Sequence, residues 1–177
     1  MTHSDALAWV WVASSRSNGN TAALARAAFP GDRTRFVDTG ARRIGYYSYT
    51  NAHATDDFIG LVEEAITHPL WVIATPLYWY TMSAQAKTLL DRFSDLLDAR
   101  KDLGRKLRGI RLAILCVGAD AEAPGHFAQP FELTAQYLGM PFLGFHYAQL
   151  SEDAPMTPDK HAAAQCFGAS AVDSLRQ

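Results

Sequence analysis

The chain has 177 residues, of which 49% are hydrophobic and 19% are charged, and its formal net charge is −2. This composition excludes an intrinsically disordered chain, and the length predicts a single domain over residues 1–177. No run of about 18 apolar residues is present, so a membrane span is not expected. Because acidic and basic residues nearly balance and no basic patch dominates, neither nucleic acid nor a membrane surface is an expected partner.

Two features of the sequence indicate a reducing compartment. Residues 1–5 are polar and lack the basic start of a signal peptide. The two cysteines, Cys116 and Cys166, lie far from any paired spacing, which argues against a cysteine-ligated metal or an iron–sulfur centre. We therefore expect a cytoplasmic protein without a metal site. The low share of charged residues, together with twenty aromatic residues, favours a homo-oligomer.

Five short segments predict β-strands. The runs at 6–13, 70–75 and 110–117 are apolar on both alternating faces, which is typical of strands in the middle of a parallel sheet. The segments at 34–38 and 142–150 mix polar with apolar residues, so we interpret them as edge strands.

Helical patterns lie between and after these strands. The clearest spans 83–100, where apolar residues recur three and four positions apart. Thr157 followed by Pro158 predicts the start of the last helix, since proline is favoured at the first helical position. The other predicted helices cover 21–29, 56–68 and 127–138.

The order of strand and helix, repeated five times, predicts an α/β fold. We expect a flavodoxin-like, doubly wound, five-stranded parallel sheet of order 2-1-3-4-5 with helices on both faces. In this topology ligands bind at the carboxyl ends of strands 1 and 3, where neighbouring crossovers diverge. Residues 14–20 and 76–82 therefore become the candidate binding loops.

The first candidate loop concentrates hydroxyl and amide groups. Residues 14–21 read Ser-Ser-Arg-Ser-Asn-Gly-Asn-Thr and lead directly into the first predicted helix. Free backbone N–H groups at a helix N-terminus bind phosphate well, and Arg16 adds the only full positive charge. No P-loop lysine is present, which argues against a nucleoside triphosphate with magnesium. A solvated loop that merely caps the helix is the alternative.

The second candidate loop is aromatic. Residues 75–83 read Thr-Pro-Leu-Tyr-Trp-Tyr-Thr-Met-Ser, and three consecutive rings at the end of a buried strand cannot all face the core. At least one ring is expected to project into the crevice, where it suits stacking on a planar ligand. For Trp79 and Tyr80 an aromatic plug or a contact between subunits is the alternative. Together the two loops predict FMN, which carries a phosphate at one end and a planar ring at the other.

Both loops, with Lys87, Asp91 and Arg92 after the second, resemble the NADPH-dependent FMN reductase family over residues 6–150. The resemblance implies an oxidoreductase that transfers a hydride from NADPH or NADH through FMN to a small acceptor. A quinone, an azo or nitro aromatic, or free flavin would be reduced in a ping-pong cycle, usually by a homodimer or homotetramer. Ala13 replaces a glycine that often precedes the family's phosphate loop, and the cysteine cluster of its iron–sulfur branch is absent.

The resemblance also assigns contacts to individual residues. Contacts to the phosphate are implied for Ser14, Arg16, Asn18, Gly19, Asn20 and Thr21. Contacts to the flavin ring are implied for Pro76, Leu77, Tyr78, Trp79 and Tyr80. The third loop, residues 118–125, borders the pyrimidine side of the flavin in the family, which adds Gly118, Ala119 and Asp120. No side chain is expected to be catalytic, because the flavin carries the chemistry and the protein supplies backbone N–H groups, with one from residues 78–81 directed at flavin N5.

Several residues have competing interpretations. The segment Tyr46–Tyr49 either covers the flavin or packs at an oligomer interface. His53 and His126 are expected to be exposed or packed, and His146 to lie in the core or an interface. Arg92 is expected on the solvent side of its helix, where it would form salt bridges.

Two other functions compete with the reductase. A flavodoxin-type electron carrier would hold FMN without oxidising NAD(P)H itself, but such carriers are expected to be strongly acidic, and the charge of −2 is low. The second is a hydrolase acting on another phosphate ester. The sequence contains neither a G-x-S-x-G motif nor paired metal-binding carboxylates to support it.

Overall fold

The computed structural model describes residues 6–176, so the polar segment 1–5 lies outside the described residues. The strands are β1 (Ala8–Val12), β2 (Thr34–Asp38), β3 (Leu70–Tyr78), β4 (Thr81–Met82), β5 (Arg111–Gly118) and β6 (Phe142–Gln149). The helices are α1 (Asn20–Ala28), α2 (Phe58–Ala65), α3 (Ala84–Arg92), α4 (Lys101–Lys106), α5 (Gln129–Leu138) and α6 (Pro158–Asp173).

Five of the strands form a parallel sheet in the order β2-β1-β3-β5-β6. This confirms the predicted flavodoxin-like order 2-1-3-4-5, because β4 is an additional two-residue strand that pairs antiparallel with the end of β3. All five predicted strands are present within a few residues of their expected limits. The central strands β3 and β5 are buried along most of their length, whereas the edge strands β2 and β6 are mostly half-exposed.

Helices cover both faces of the sheet and separate two apolar cores. On one face α1 and α6 pack against Val10, Val12 and their neighbours on β3 and β5. On the other face α2, α3, α4 and α5 cover a core that includes three buried tryptophans, Trp9, Trp11 and Trp71. We refer to these as the α1/α6 face and the α2/α3 face. Burial on both sides explains why the central strands are apolar at most positions.

The predicted helix over 83–100 is wrong in its second half, because α3 ends at Arg92 and a 3₁₀ turn, Phe93–Leu96, follows. The backbone N–H of Arg100 then donates to the carbonyl of Asp95 and turns the chain into α4. Apolar spacing of three and four signals burial in both helix types, so the pattern did not reveal the change. Arg92 is also buried, which corrects its expected position on the solvent side.

Within residues 6–176, no helix is long and apolar enough to cross a membrane.

Candidate functional site

The loops that follow β1, β3 and β5 line one cavity of about 830 Å³ at the carboxyl edge of the sheet. Small-molecule sites usually have volumes of about 300–1,000 Å³. Eleven of the fourteen residues expected to contact a cofactor line this cavity, and Trp79, Tyr80 and Asp120 do not. The structure therefore contains a cavity where β1 and β3 end beside each other, at the place that the sequence argument predicted.

The first loop supplies the polar end of the cavity. Its lining residues are Ser14, Arg16, Asn18, Gly19, Asn20 and Thr21. Gly19 occupies the N-cap position of α1 and has no side chain to bond the first N–H groups of the helix. Those groups, which carry the partial positive charge of the helix dipole, remain available beside the cavity.

Among residues 6–176, Arg16 is the one basic residue that lines the cavity. Its side chain is exposed and forms no ion pair with another described residue. An anion in the cavity would therefore meet a guanidinium whose charge is not already neutralised. This arrangement and the free helix N-terminus both favour a phosphate group.

The second loop forms a tight β-hairpin between β3 and β4. Pro76, Leu77 and Tyr78 line the cavity, so one of the three aromatic side chains reaches the crevice as expected. Trp79 and Tyr80 form the two-residue turn with φ angles of 48° and 68°. Two positive φ angles are typical of a type I′ turn, which usually contains asparagine and glycine. The turn holds Trp79 90% exposed, outside the cavity lining.

A buried hydroxyl network joins the first and second loops. Ser83 Oγ donates to the carbonyl of Ala13 at 2.7 Å, and Thr75 Oγ1 donates to Ser83 Oγ at 3.1 Å. Ser83 also caps α3 by accepting from the N–H of Ala86 at 3.2 Å. Sequence reasoning missed these roles, although Ser83 lies directly before a helical pattern, where an N-cap residue is expected. The network fixes the end of β1 relative to the end of β3.

The third loop is anchored by two side chains of β6. The Tyr147 hydroxyl donates to the carbonyl of Asp120 at 2.7 Å, and Gln149 Nε2 donates to the carbonyl of Ala119 at 2.8 Å. Burial, followed by the nearby Cys116 and Asp120, raises the pKa of Tyr147, so its hydroxyl keeps its proton and donates. A Cβ at Gly118 would lie 2.5 Å from the Tyr147 hydroxyl oxygen, so any larger residue there would force the Tyr147 side chain to shift.

Four further residues line the cavity and were not expected from the sequence. They are Val117, Leu150, Ser151 and Glu152. Three of them follow β6, whose carboxyl end lies at the same edge of the sheet as β1, β3 and β5. A stricter use of the predicted topology would have included this fourth loop. Glu152 places a carboxylate in a cavity wall that otherwise carries only the charge of Arg16.

His126 connects the third loop to the aromatic hairpin. Its Nε2 lies 3.2 Å from the carbonyl oxygen of Tyr80. A carbonyl oxygen only accepts, so Nε2 carries the proton in this contact. Of the two expected alternatives, exposed or packed, His126 is exposed, and its ring also bonds the turn whose backbone is strained.

Arg92 stabilises a region outside the cavity. Its guanidinium, only 2% exposed, donates to the carboxylates of Asp56 and Asp95 and to the carbonyl of Gly45. It also lies 4.6 Å above the centre of the Phe58 ring. These contacts attach the segment 42–57 to α3.

The segment 42–57 contains the tyrosines that were proposed either to cover a flavin or to form an interface. None of Tyr46, Tyr47 and Tyr49 lines the cavity. Tyr49 is 95% exposed, and its ring contacts that of Tyr47 edge to face at a centroid distance of 5.2 Å. The covering role is therefore not seen in the single chain.

The remaining titratable groups do not form a reactive centre. Burial raises the pKa of the Cys116 thiol to about 12, which makes it a poor nucleophile. Both cysteines are free, and Cys166 is exposed. No group of three or more histidine, cysteine or acidic side chains among residues 6–176 is placed to hold a metal ion.

Comparison with known proteins identifies the family. The model of the family described as NADPH-dependent FMN reductase matches residues 8–154. The chain belongs to this family. The prediction of the family is thus confirmed.

A curated relative supports the same family. The chain is 31% identical over 94 residues to a putative NAD(P)H-dependent FMN-containing oxidoreductase, YwqN, from Bacillus subtilis (strain 168). The aligned part covers 51% of this chain and 52% of the relative, so it spans about half the length of each.

Solved structures of flavoproteins share the fold. The Trp repressor binding protein from Bacillus subtilis superposes with a TM-score of 0.73 at 23% identity, over 90% of this chain and 99% of that one. An FMN-dependent NADH-azoreductase from Bacillus anthracis str. Ames Ancestor, solved in complex with FMN, gives a TM-score of 0.66 at 10% identity, over 97% and 100%. At these low sequence identities, the structural similarity establishes the fold of this family member and nothing further.

Proposed function

We propose that this protein binds FMN in the 830 Å³ cavity, oxidises NAD(P)H, and passes the electrons to a small acceptor. One observation carries the proposal: the polar loop at 14–21 and the Pro76–Tyr78 wall line the same cavity. A ligand with a phosphate at one end and a flat ring at the other would use both ends of this cavity.

The polar end fits a phosphate monoester. Arg16 offers an unpaired guanidinium, and the uncapped start of α1 offers backbone N–H groups. Asn18, Asn20 and Thr21 add side-chain donors from the same loop. Hydrogen bonds to a charged group contribute about 1.5–3 kcal/mol each, so a few of them would hold the phosphate firmly.

The opposite end fits a planar ring. Pro76, Leu77 and Tyr78 form one wall, and Gly118 and Ala119 form another. Contacts of Trp79, Tyr80 and Asp120 with the ring remain part of the proposal, because these residues lie next to the lining residues in sequence.

FMN when bound would supply the hydride-accepting and hydride-donating chemistry. The protein's own contribution is to bind, orient and polarise. Within residues 6–176, no protein group accepts a hydrogen bond from the backbone N–H of Trp79 or Tyr80. Tyr78 and Thr81 face each other across the hairpin, so these two N–H groups at the turn are our candidates for the donor to flavin N5.

The assembly and surroundings form the rest of the proposal. We propose a single domain over residues 1–177, located in the cytoplasm, that forms a homodimer or homotetramer and binds no nucleic acid. Leu133 and Tyr137 of α5 are large apolar side chains exposed in the single chain, which supports burial against another copy. Light scattering coupled to size exclusion would measure the assembly directly.

The deciding experiment is spectroscopic. Purified protein is titrated with FMN, and the visible spectrum and flavin fluorescence are followed before NADPH or NADH is added under anaerobic conditions. We expect saturable binding, followed by bleaching of the flavin absorbance in stopped flow. Riboflavin, which lacks the phosphate, is the matched control and should bind more weakly.

Three outcomes of this experiment have different meanings. A spectrum that ignores FMN would end the proposal. Binding without bleaching by either nicotinamide would indicate an electron carrier instead of a reductase. Bleaching with release of the oxidised nicotinamide before an added quinone or azo dye reacts would support the ping-pong order.

A second measurement tests the ring end alone. Trp79 is the exposed tryptophan of the chain, whereas Trp9, Trp11 and Trp71 are buried. Iodide should therefore quench the fluorescence of Trp79 selectively, and bound FMN should protect it. Protection that depends on protein concentration but not on FMN would instead place Trp79 at a contact between subunits.

A further inference from the structure

The third loop contains two peptide groups that point the same way. The carbonyls of Ala119 and Asp120 accept the hydrogen bonds from Gln149 and Tyr147, at 2.8 and 2.7 Å. In a planar trans peptide the N–H points opposite to the carbonyl. The N–H groups of Asp120 and Ala121 belong to these two peptides, so both point away from the anchoring side chains.

The two anchors lie on the α2/α3 face of the sheet. Tyr147 packs against the core on that face, and Gln149, two residues along β6, projects to the same side. Val117 and Leu150, which line the cavity, belong to the core on the α1/α6 face. The N–H groups of Asp120 and Ala121 therefore point away from the α2/α3 face, towards the side on which Val117 and Leu150 line the cavity, although neither Asp120 nor Ala121 itself lines it.

Neither N–H group is used by the protein. Among residues 6–176, no acceptor lies within hydrogen-bonding distance of the N–H of Asp120 or Ala121. Adjacent N–H groups that point the same way form a concave site that favours negative charge. Their orientation costs no rearrangement when charge appears, because the anchoring bonds already hold the peptide planes.

We propose that Tyr147 and Gln149 are positioning residues, which orient the N–H groups of Asp120 and Ala121 to bind the pyrimidine side of reduced FMN. This inference rests on the proposed function. It gives β6 a role in the redox reaction although neither anchor lines the cavity. It also explains the glycine at position 118, since a Cβ there would displace the Tyr147 hydroxyl.

The test separates binding of oxidised from reduced FMN. Tyr147→Phe removes only the hydroxyl, and Gln149→Met removes the amide donor while keeping the length of the side chain. We expect each variant to bind oxidised FMN within about twofold of the wild type and reduced FMN about tenfold more weakly. A tenfold loss of preference for the reduced form lowers a two-electron midpoint potential by about 30 mV.

The matched control is Ser174→Ala. The Ser174 hydroxyl also donates to a backbone carbonyl, that of Ala171 at 2.6 Å, and Ser174 does not line the cavity, so its loss should leave both affinities and the potential unchanged. Potentials are measured by equilibration with a reference dye, which requires no turnover. If both Tyr147→Phe and Gln149→Met leave the midpoint potential of bound FMN unchanged, the inference is overturned.

An amide NMR titration provides a test that does not depend on the variants folding. The ¹⁵N–¹H signals of Asp120 and Ala121 in the wild type should shift downfield when FMN is bound and further when it is chemically reduced. Shifts elsewhere in the first loop with none at these two amides would reject the inference while leaving the proposed function intact. A protein that binds no FMN would reject the proposed function itself.

Discussion

The loop at 14–21 and the segment 42–57 are both irregular, but they use their polar groups differently. In the loop, Arg16 has no ion-pair partner within the described range 6–176, and the start of α1 has no side-chain cap. In the segment, the carboxylate of Asp56 accepts from the N–H groups of Gly45 and Phe58 and from buried Arg92. A segment whose donors are satisfied internally is structural, whereas one with free donors beside a cavity is suited to a ligand.

The same contrast explains why charge alone is a poor guide to function. Burial by itself would raise the pKa of Asp56, but the hydrogen bonds from Arg92, Gly45 and Phe58 outweigh it and lower the pKa. The lowered pKa of Asp56 therefore arises in a structural network outside the cavity. The exposed Arg16, with no buried partner, is the better candidate for binding.

The largest effect is expected when the network of segment 42–57 is broken. Arg92→Ala leaves two buried carboxylates without their partner, so the free energy of unfolding should fall by about 3–5 kcal/mol. Denaturant unfolding measures this. Arg100→Ala is the control, because its ion pairs with Glu63 and Asp102 are partly exposed and should contribute much less to the free energy of unfolding.

FMN affinity per folded molecule should change little in the Arg92 variant. A loss of affinity as large as the loss of stability would show that the segment and the cavity are not independent.

The loop at 14–21 should respond in the opposite way. Arg16→Ala should weaken FMN binding by about 1.5–3 kcal/mol, which is roughly 10- to 100-fold, and leave the unfolding free energy nearly unchanged. Turnover at saturating FMN should fall less than affinity. Fluorescence titration is the measurement.

The control for Arg16 is Arg26→Ala. Arg26 is exposed in the last turn of α1 and does not line the cavity. Equal FMN affinity in the wild type and the Arg16 variant would mean that backbone groups alone hold the phosphate.

Ser83 is expected to contribute both to stability and to FMN binding, so its substitution tests whether the two roles can be separated. Ser83→Ala leaves the carbonyl of Ala13 without its buried donor, which should lower the unfolding free energy by about 1–3 kcal/mol. Because the same hydroxyl joins the two binding loops, FMN affinity should fall as well. Ser94→Ala, in the 3₁₀ turn away from the cavity, is the comparison. Reduced stability with intact affinity would assign Ser83 to the structural category alone.

The smallest effect concerns a buried group without a partner. His146 stacks on Phe167 at a centroid distance of 5.7 Å, and its Nε2 is buried without a hydrogen bond to another described residue. Burial lowers the pKa of His146 in the folded state. The unfolded chain then binds the proton more readily, so stability is full above the ordinary histidine pKa of about 6.5 and is lost as pH falls below it.

His146→Phe removes this titration and keeps the stacked ring. Between pH 7.5 and 5.5, the melting temperature of the wild type should fall more steeply than that of the variant. If the melting temperatures of the wild type and the variant fall equally between pH 7.5 and 5.5, the His146 ring is hydrated in the folded state.

The sequence pattern predicted the main strands of the fold and the polar loop of the candidate site. Strands such as 70–75 and 110–117 were recognised because a sheet covered on both faces requires apolar runs at its centre. The loop at 14–21 was recognised because its hydroxyl and amide groups precede a helix in a topology that places it at a ligand crevice. These features depend on local order along the chain, which the sequence states directly.

Local sequence by itself determined the strand order, the family resemblance and the chemical character of the two loops. Only the tertiary structure decided that Arg92 is buried, that the helix after Ser83 breaks at Phe93, and which side chains anchor the third loop. The physical reason is that Tyr147 and Gln149 act on residues about 30 positions away in the chain. Hydrogen bonds of that range depend on strand register and side-chain direction, which no spacing within one segment reveals.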